Sequence, residues 1–192
     1  MNYKAVIFDF FGVVCDERFW QWVSKHVPTY QEHTDRYQAL ADAADKGDIS
    51  KEDFYATIGR DAGIGGDQVR QEIHDEIRIH LDVVAIIETI HRSHKTALLS
   101  NADYRELERI LEENGLLKHF DEVVISTKVK LIKPDPAIFK LACKKLGVST
   151  KEAIFVDDRE ANLIGAQQTG LRTILFSGGG ALKHTLYEAG VS

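Results

Sequence analysis

The sequence predicts an α/β fold, in which a doubly wound parallel sheet carries helices on both faces and an all-helical segment follows the first strand. Short apolar runs rich in β-branched and aromatic residues recur along the chain, and such runs are typical of strands buried on both faces. Amphipathic stretches with recognisable caps lie between the later runs, which indicates parallel strands joined by helices. One long region lacks strand patterns, and it predicts the helical insertion.

Five apolar runs predict the strands, because each run is too short to be a helix of ordinary length. In chain order they cover residues 3–10, 96–99, 123–125, 153–156 and 172–176. Caps and glycine stops delimit the helices between them. Helices are predicted over 83–91, from Asp103 to Gly115, from Asp135-Pro136 to Gly147, and over 161–169 ahead of Gly170.

Residues 16–80 predict a separate small helical core. Val69, Ile73 and Ile77 stand at helical spacing, and seven of the 17 aromatic residues of the chain fall between positions 19 and 55. We therefore expect an α/β core formed by residues 1–15 and 81–192, with a helical cap formed by residues 16–80. Trp20 and Trp22 lie two positions apart on a predicted helix, so at most one of them is expected to face a cleft.

Composition narrows the class of protein. Hydrophobic residues make up 44% and charged residues 28% of the 192 positions, which are ordinary globular values. A net charge of −6 argues against a nucleic-acid partner, and no segment approaches the roughly 20 apolar residues of a membrane helix. The two cysteines, Cys15 and Cys143, are expected to be buried and unpaired, which favours a cytoplasmic protein. Oligomeric state has no recognisable signal.

Polar residues follow three of the predicted strands directly. Asp9 follows the first strand, Ser100-Asn101 the second and Asp157-Asp158 the fourth. Ligands bind at the carboxyl ends of strands in open parallel sheets, so these side chains are expected to share one crevice. Three clustered carboxylates would repel one another without a cation, and Mg²⁺ prefers such oxygen ligands.

Lys133 is the remaining candidate for the crevice. It precedes Pro134 within Lys-Pro-Asp-Pro at 133–136, and the following proline restrains its backbone to an extended form. Its ammonium group is expected to neutralise charge on Asp9 or on a bound phosphoryl group.

These residues resemble the four motifs of the haloacid dehalogenase superfamily, in order and in spacing. Phe-Asp-Phe-Phe-Gly-Val-Val at 8–14 resembles the first motif, Ser100-Asn101 the second, Lys-Pro-Asp-Pro at 133–136 the third, and Asp157-Asp158 with Asn162 the fourth. The resemblance covers nearly the whole chain. It implies a Rossmann-like core, and the insertion corresponds to the helical C1 cap of subfamily I.

The resemblance implies a Mg²⁺-dependent phosphatase that acts on a small phosphomonoester. Asp9 would attack phosphorus and form an aspartyl-phosphate that water then hydrolyses. Mg²⁺ would be held by Asp9, the backbone carbonyl of Phe11 and Asp158, with Asp157 ligating directly or through water.

The same resemblance assigns the remaining motif residues. Ser100 and the backbone at Asn101 would bind phosphoryl oxygens, and Lys133 would stabilise charge on the transferring group. Asn162 would orient the acidic pair. The partner implied is a small phosphorylated metabolite, for which sugar phosphates are one candidate class.

Phe11 departs from the family pattern, since most of the family's phosphatases carry an Asp two residues after the nucleophile. General acid–base catalysis contributes typically about 10²–10⁴ in rate.

The favoured interpretation is a phosphatase that works without this Asp. A subgroup of the family with a similar first motif includes sugar-phosphate phosphatases. A weak or inactive protein that binds a phosphorylated ligand or a protein partner is an alternative. A haloacid dehalogenase is disfavoured, because that branch has lost the acidic pair that is kept here at Asp157-Asp158.

Overall fold

The computed structural model describes residues 3–191 and contains one five-stranded parallel sheet, ordered β3-β2-β1-β4-β5. The strands are β1 (Ala5–Phe8), β2 (Lys95–Ser100), β3 (Glu122–Ile125), β4 (Ala153–Asp157) and β5 (Arg172–Leu175). The predicted fold class is confirmed, and the predicted strands lie within two residues of these bounds. Residues 1, 2 and 192, the outermost positions of the predicted core, lie outside the described residues.

Ten α-helices accompany the sheet in the described part of the chain. They are α1 (Phe19–His26), α2 (Thr34–Lys46), α3 (Lys51–Ala62), α4 (Gly66–Asp75), α5 (Leu81–His91), α6 (Tyr104–Glu113), α7 (Ser126–Val129), α8 (Pro136–Leu146), α9 (Glu160–Gln167) and α10 (Gly179–Glu188). Asp103 and Asp135 cap α6 and α8 through their side chains, as their positions predicted.

Alternate residues of the strands face opposite layers of helices. Val6 and Phe8 of β1 pack in the layer that contains buried residues of α5, α6 and α10, whereas Ala5 and Ile7 pack in the layer that contains those of α8 and α9. Side chains alternate between the faces of a strand, so a continuous apolar run is what a sheet covered on both faces requires.

Helices α1–α4 form the helical insertion between β1 and α5, and they pack around a third apolar cluster that includes Trp22, Tyr37, Phe54 and Ile58. Two adjacent connecting segments join the insertion to the sheet. The amide of Asp16 donates to the carbonyl of Arg78 over 3.1 Å, and the amide of His80 donates to the carbonyl of Val14 over 2.8 Å.

The two cysteines are buried and unpaired, as their separation in the sequence predicted. None of the helices within residues 3–191 is both long enough and apolar enough to cross a membrane.

Candidate active site

The site lies where the chain reverses its direction of travel across the sheet. The chain runs from β1 to β2 and β3 on one side, then returns to β4 on the other side of β1. Ligands of doubly wound sheets bind at such switch points, beyond the carboxyl ends of the strands. Phe8 lies opposite Leu98 of β2 and Val156 of β4. Asp9 therefore emerges beside the ends of both neighbouring strands.

Lys133 links two of these strand ends through buried ion pairs. Its ammonium nitrogen lies 2.6 Å from Asp9 Oδ1 and 2.8 Å from Asp157 Oδ2, and only 2% of its side chain is exposed. Burying a charge is costly unless it is paired, so these contacts explain how a lysine is accommodated at this depth. The structure thus brings Lys133 together with Asp9, as the sequence predicted.

Asn101 holds the backbone of Lys133 in place. The amide of Lys133 donates to Asn101 Oδ1 over 2.8 Å, and Asn101 Nδ2 donates to the Lys133 carbonyl over 3.0 Å. This reciprocal pair was not foreseen, because the two residues are 32 positions apart. The side chain of Asn101 therefore fixes the segment that carries the ammonium group.

The three carboxylates among the predicted metal ligands form a compact acidic cluster. Asp9, Asp157 and Asp158 each offer a carboxylate oxygen, and these oxygens lie within 4.8 Å of one another. Asp158 Oδ1 is buried and has no hydrogen-bond partner among the described residues. An unpaired buried carboxylate oxygen is costly, and a hard cation beside it would remove that cost. The residues present therefore fit Mg²⁺.

Asp157 differs from Asp158 in having its oxygens occupied by donors. Asn162 Nδ2 lies 3.0 Å from each oxygen of Asp157, and the amide of Arg159 donates to Oδ1 over 2.8 Å. With Lys133 on Oδ2, four contacts occupy a group with about four acceptor positions. Asn162, to which the family resemblance assigned the orientation of the acidic pair, thus contacts Asp157.

Gly12 allows the loop after β1 to approach Asp158 closely. Its φ of +86° is rarely adopted by residues with a side chain, and a Cβ at this position would overlap the carboxylate of Asp158. Gly12 was not predicted to be a site residue. A glycine three positions after a strand-end Asp is the signal that could have identified it.

Ser100 lies at the end of β2, and its hydroxyl is buried without a hydrogen-bond partner in the described chain. Buried hydroxyls are normally paired, so this group fits a ligand oxygen.

Phe11 packs its ring edge-on against Phe10, with the ring centroids 5.0 Å apart, and it lines the cavity next to Asp9. The side chain of Phe11 therefore occupies the position at which most phosphatases of the family that the motifs resemble carry an Asp.

Burial and charge determine the protonation of the cluster. Burial raises the pKa of Asp9 well above its ordinary value; Lys133 opposes this shift, whereas Asp157 and Asp158 add to it. Burial, followed by the charge of Asp157, also raises the pKa of Asp158. Burial alone would lower the pKa of Lys133, but Asp9 and Asp157 raise it above its ordinary value, so the side chain is an ammonium. A bound cation would favour the ionised forms of Asp9 and Asp158, the two carboxyl groups whose pKa is raised.

A cavity of about 110 Å³ separates these groups from the helical insertion. Asp9, Phe11 and Lys133 line it, together with Trp20 of α1 and Glu17 of the segment that leads into the insertion. Trp22 is instead buried in the core of the insertion, so one of the two tryptophans faces the cleft, as expected.

The insertion contacts the sheet side of the protein around this cavity. Tyr55 donates its hydroxyl to Glu106 over 3.1 Å, and Lys130 Nζ donates to the Gly47 carbonyl over 3.1 Å. Ser126 Oγ also donates to the carbonyl of Asp45. The cavity is therefore covered by the insertion. The sequence did not predict these contacts, because they join segments that share no motif.

Residues 3–170 match the family model of the haloacid dehalogenase-like hydrolases. The chain belongs to this family. Among solved structures of the family, an enzyme from Bacteroides thetaiotaomicron superposes with a TM-score of 0.78 at 22% identity, covering 97% of this chain and 99% of that one. A further structure of that enzyme, a complex with magnesium and inorganic phosphate, superposes with a TM-score of 0.72 at 22% identity, covering 93% and 96% of the two chains.

Relatives in this hydrolase family carry different activities in their names. (S)-2-haloacid dehalogenase 4A of Burkholderia cepacia is 29% identical over 53% of this chain and 44% of its own length. Putative phosphatase YhcW of Bacillus subtilis is 31% identical over 42% and 37%. Glyceraldehyde 3-phosphate phosphatase of Methanopyrus kandleri is 35% identical over 41% and 34%. The matched segments thus span less than half of each of these relatives.

Proposed function

We propose that this hydrolase is a Mg²⁺-dependent phosphatase that cleaves a small phosphomonoester through an aspartyl-phosphate at Asp9. One observation carries the proposal: Asp9, Asp157 and Asp158 meet within 4.8 Å, beside a buried ammonium and an unpaired Asp158 oxygen. This set offers a nucleophile, a cation site and a counter-charge for phosphate. The magnesium and phosphate complex of the Bacteroides enzyme, which shares the fold, is consistent with it.

The contacts of Asp9 distinguish its two oxygens. Oδ1 accepts from the amide of Phe10 over 2.7 Å and is paired with Lys133. No described donor contacts Oδ2, so we assign the attack on phosphorus to Oδ2. The contact from Phe10 fixes the carboxylate, and fixed geometry lowers the entropic cost of an in-line displacement.

The surrounding residues would bind the phosphoryl group and the cation. The buried hydroxyl of Ser100 and the backbone at Asn101 would donate to phosphoryl oxygens, and Lys133 would balance the charge on the transferring group. Mg²⁺, when bound by Asp9, Asp158 and the carbonyl of Phe11, would supply further charge neutralisation. Because the oxygens of Asp157 are already occupied, we expect Asp157 to reach the ion through water.

The small cavity supports a small phosphorylated metabolite as substrate, with sugar phosphates as one class. Two buried, unpaired cysteines are compatible with a reducing compartment, which supports a cytoplasmic location.

Phe11 favours one competing function, a protein that binds a phosphorylated ligand without turning it over. A dehalogenase is less well supported: carbon–halogen cleavage needs no metal, whereas the acidic pair is retained beside Asp9.

Phosphate release from a panel of small phosphomonoesters tests the proposal. The panel is assayed with Mg²⁺ or EDTA, using the wild type, Asp9→Asn and, as a matched control, Asp35→Asn, which changes an exposed acid of α2. We expect turnover that needs Mg²⁺, disappears in Asp9→Asn and persists in Asp35→Asn. Folded wild-type protein that binds Mg²⁺ and turns over no ester would instead favour the non-catalytic binder.

A further inference from the structure

The phenyl ring of Phe11 leaves the proposed reaction without its usual proton donor. Five other carboxyl groups line the same cavity as Asp9, and any replacement acid at this cavity is expected among them. They are Asp16, Glu17, Asp45, Asp103 and Glu106.

Ion pairs exclude two of the five carboxyl groups as proton donors. Asp16 accepts from His80 over 2.8 Å and pairs with Arg18; these contacts, that of His80 first, lower its pKa and keep it ionised. Asp45 lies 3.3 Å from the ammonium of Lys51. Burial raises the pKa of Asp45, but a protonated Asp45 would leave the Lys51 charge without its nearest counter-ion.

Structural hydrogen bonds occupy two further carboxyl groups of the cavity. Asp103 caps α6 by accepting from the amides of Arg105 and Glu106 over 3.0 and 3.2 Å. Both oxygens of Glu106 lie within 3.3 Å of the Tyr55 hydroxyl. Each of these side chains holds an element in place through its hydrogen bonds.

Glu17 is the exception. The one hydrogen bond described for its side chain is made by Oε1, which accepts from the amide of Phe19 over 2.9 Å. It forms no described ion pair, and no donor among residues 3–191 contacts Oε2. Burial raises its pKa, the Phe19 amide opposes this shift, and the nearby charges of Asp158 and Asp45 add to it, while Arg159 again opposes it.

We propose that Glu17 is the acid–base residue of this site, replacing the acid that Phe11 lacks. The assignment rests on the proposed phosphatase function. Glu17 and Asp9 line one small cavity, so a phosphoryl group at Asp9 places its leaving oxygen in the space that Glu17 borders. Glu17 belongs to the segment that leads into the helical insertion, six positions after Phe11.

The proton balance of the two half-reactions is simple. As Asp9 Oδ2 bonds to phosphorus, the bond from phosphorus to the leaving oxygen breaks, and that oxygen takes the proton of Glu17 to become an alcohol. Glu17, now a carboxylate, accepts a proton from the water that attacks the aspartyl-phosphate. The bond between phosphorus and Asp9 then breaks, which releases inorganic phosphate and restores both carboxyl groups.

Aryl phosphates of graded leaving-group strength test this role. Dinitrophenolate leaves without a proton, whereas phenolate needs one, so kcat/KM is measured from dinitrophenyl phosphate to phenyl phosphate. In Glu17→Gln we expect kcat/KM for phenyl phosphate to fall by about 10² or more, within the usual range for a general acid, and that for dinitrophenyl phosphate to change little. The alkaline fall of kcat/KM for phenyl phosphate should also disappear in Glu17→Gln.

Asp45→Asn and Glu113→Gln serve as controls, the second at an exposed position of α6. A loss confined to poor leaving groups in Asp45→Asn, an equal loss for all esters in Glu17→Gln, or wild-type protein that cleaves only dinitrophenyl phosphate would each overturn the role of Glu17. These results leave the phosphatase proposal standing, provided that turnover depends on Asp9. Absence of Asp9-dependent turnover for every ester would instead remove the phosphatase proposal, and the role of Glu17 with it.

Discussion

Lys133 Nζ lies 2.6 Å from Asp9 Oδ1, and both side chains are almost completely buried. This ion pair joins the loop between α7 and α8 to the end of β1. The ammonium also neutralises part of an acidic cluster that otherwise contains three carboxylates. The fold therefore needs both partners, because removing either one would leave a buried charge without its counter-ion.

Lys133→Met should reduce both stability and activity. Removing one partner of a buried ion pair typically costs about 3–5 kcal/mol, so the free energy of unfolding without Mg²⁺ should fall by roughly that amount. Activity should fall by about 10²–10³, as when one charge-stabilising donor is lost. Denaturant unfolding and phosphate release measure the two effects. Lys140→Met, at an exposed position of α8, is the matched control, and an equal effect of both variants would contradict this account.

Gly12→Ala should destabilise the protein and weaken Mg²⁺ binding, because a Cβ at residue 12 overlaps the carboxylate of Asp158. Gly63 provides the comparison, since its φ is +76° but a Cβ there meets open space. Gly63→Ala should cost only the strain of the left-handed conformation, about 1 kcal/mol. Titration with Mg²⁺ should show reduced affinity in Gly12→Ala alone. Unchanged affinity in both variants would argue against Asp158 as a metal ligand.

Mg²⁺ should raise the thermal unfolding midpoint of the wild type, because a ligand that binds only the folded state stabilises it by about 2.7 kcal/mol at 100 times its Kd. Asp158→Asn should abolish this shift, since it replaces the carboxylate that carries the unpaired buried oxygen. The midpoint is followed with increasing Mg²⁺ and after chelation by EDTA. Asp35→Asn should respond like the wild type, and a preserved shift in Asp158→Asn would exclude the proposed ion site.

His80 predicts a pH-dependent contribution to stability. Its ring nitrogens lie 2.8 Å from the Val13 carbonyl and 2.8 Å from Asp16 Oδ1, so both contacts need the doubly protonated ring. Burial alone would lower the pKa of His80, but the hydrogen bonds to Asp16 and Val13, and the charges of Asp16 and Asp82, raise it above its ordinary value. The stabilisation is therefore fully present below the unfolded pKa of about 6.5 and is lost as pH rises through the folded pKa.

The free energy of unfolding of His80→Gln, measured against pH, checks this expectation. The deficit relative to the wild type should be largest in mildly acidic solution and should shrink as pH rises. His184→Gln, at a largely exposed position of α10, should show a much smaller dependence. A deficit that grows with pH would mean that His80 is neutral in the folded protein.

The sheet and much of the site could be predicted because they depend on local signals. Apolar runs mark the strands, and the residues after them, Asp9, Ser100 and Asp157, reach one edge through the parallel topology. The reciprocal bonds between Asn101 and Lys133 and the approach of Gly12 to Asp158 could not be predicted, since they depend on how distant segments pack. For the same reason Glu17 could not be predicted. Its proposed role depends on which carboxyl groups of the cavity form ion pairs or structural hydrogen bonds, and only the folded structure shows this.

The proposed aspartyl-phosphate at Asp9 can be sought directly during turnover. The reaction is quenched rapidly with acid, and the mass of the peptide that contains residue 9 is measured, in parallel with phosphate release from the wild type and Asp9→Asn. We expect a phosphorylated Asp9 peptide from wild-type protein with Mg²⁺, and no phosphate release from Asp9→Asn. Phosphate release that persists in folded Asp9→Asn protein would contradict the proposed nucleophilic role of Asp9.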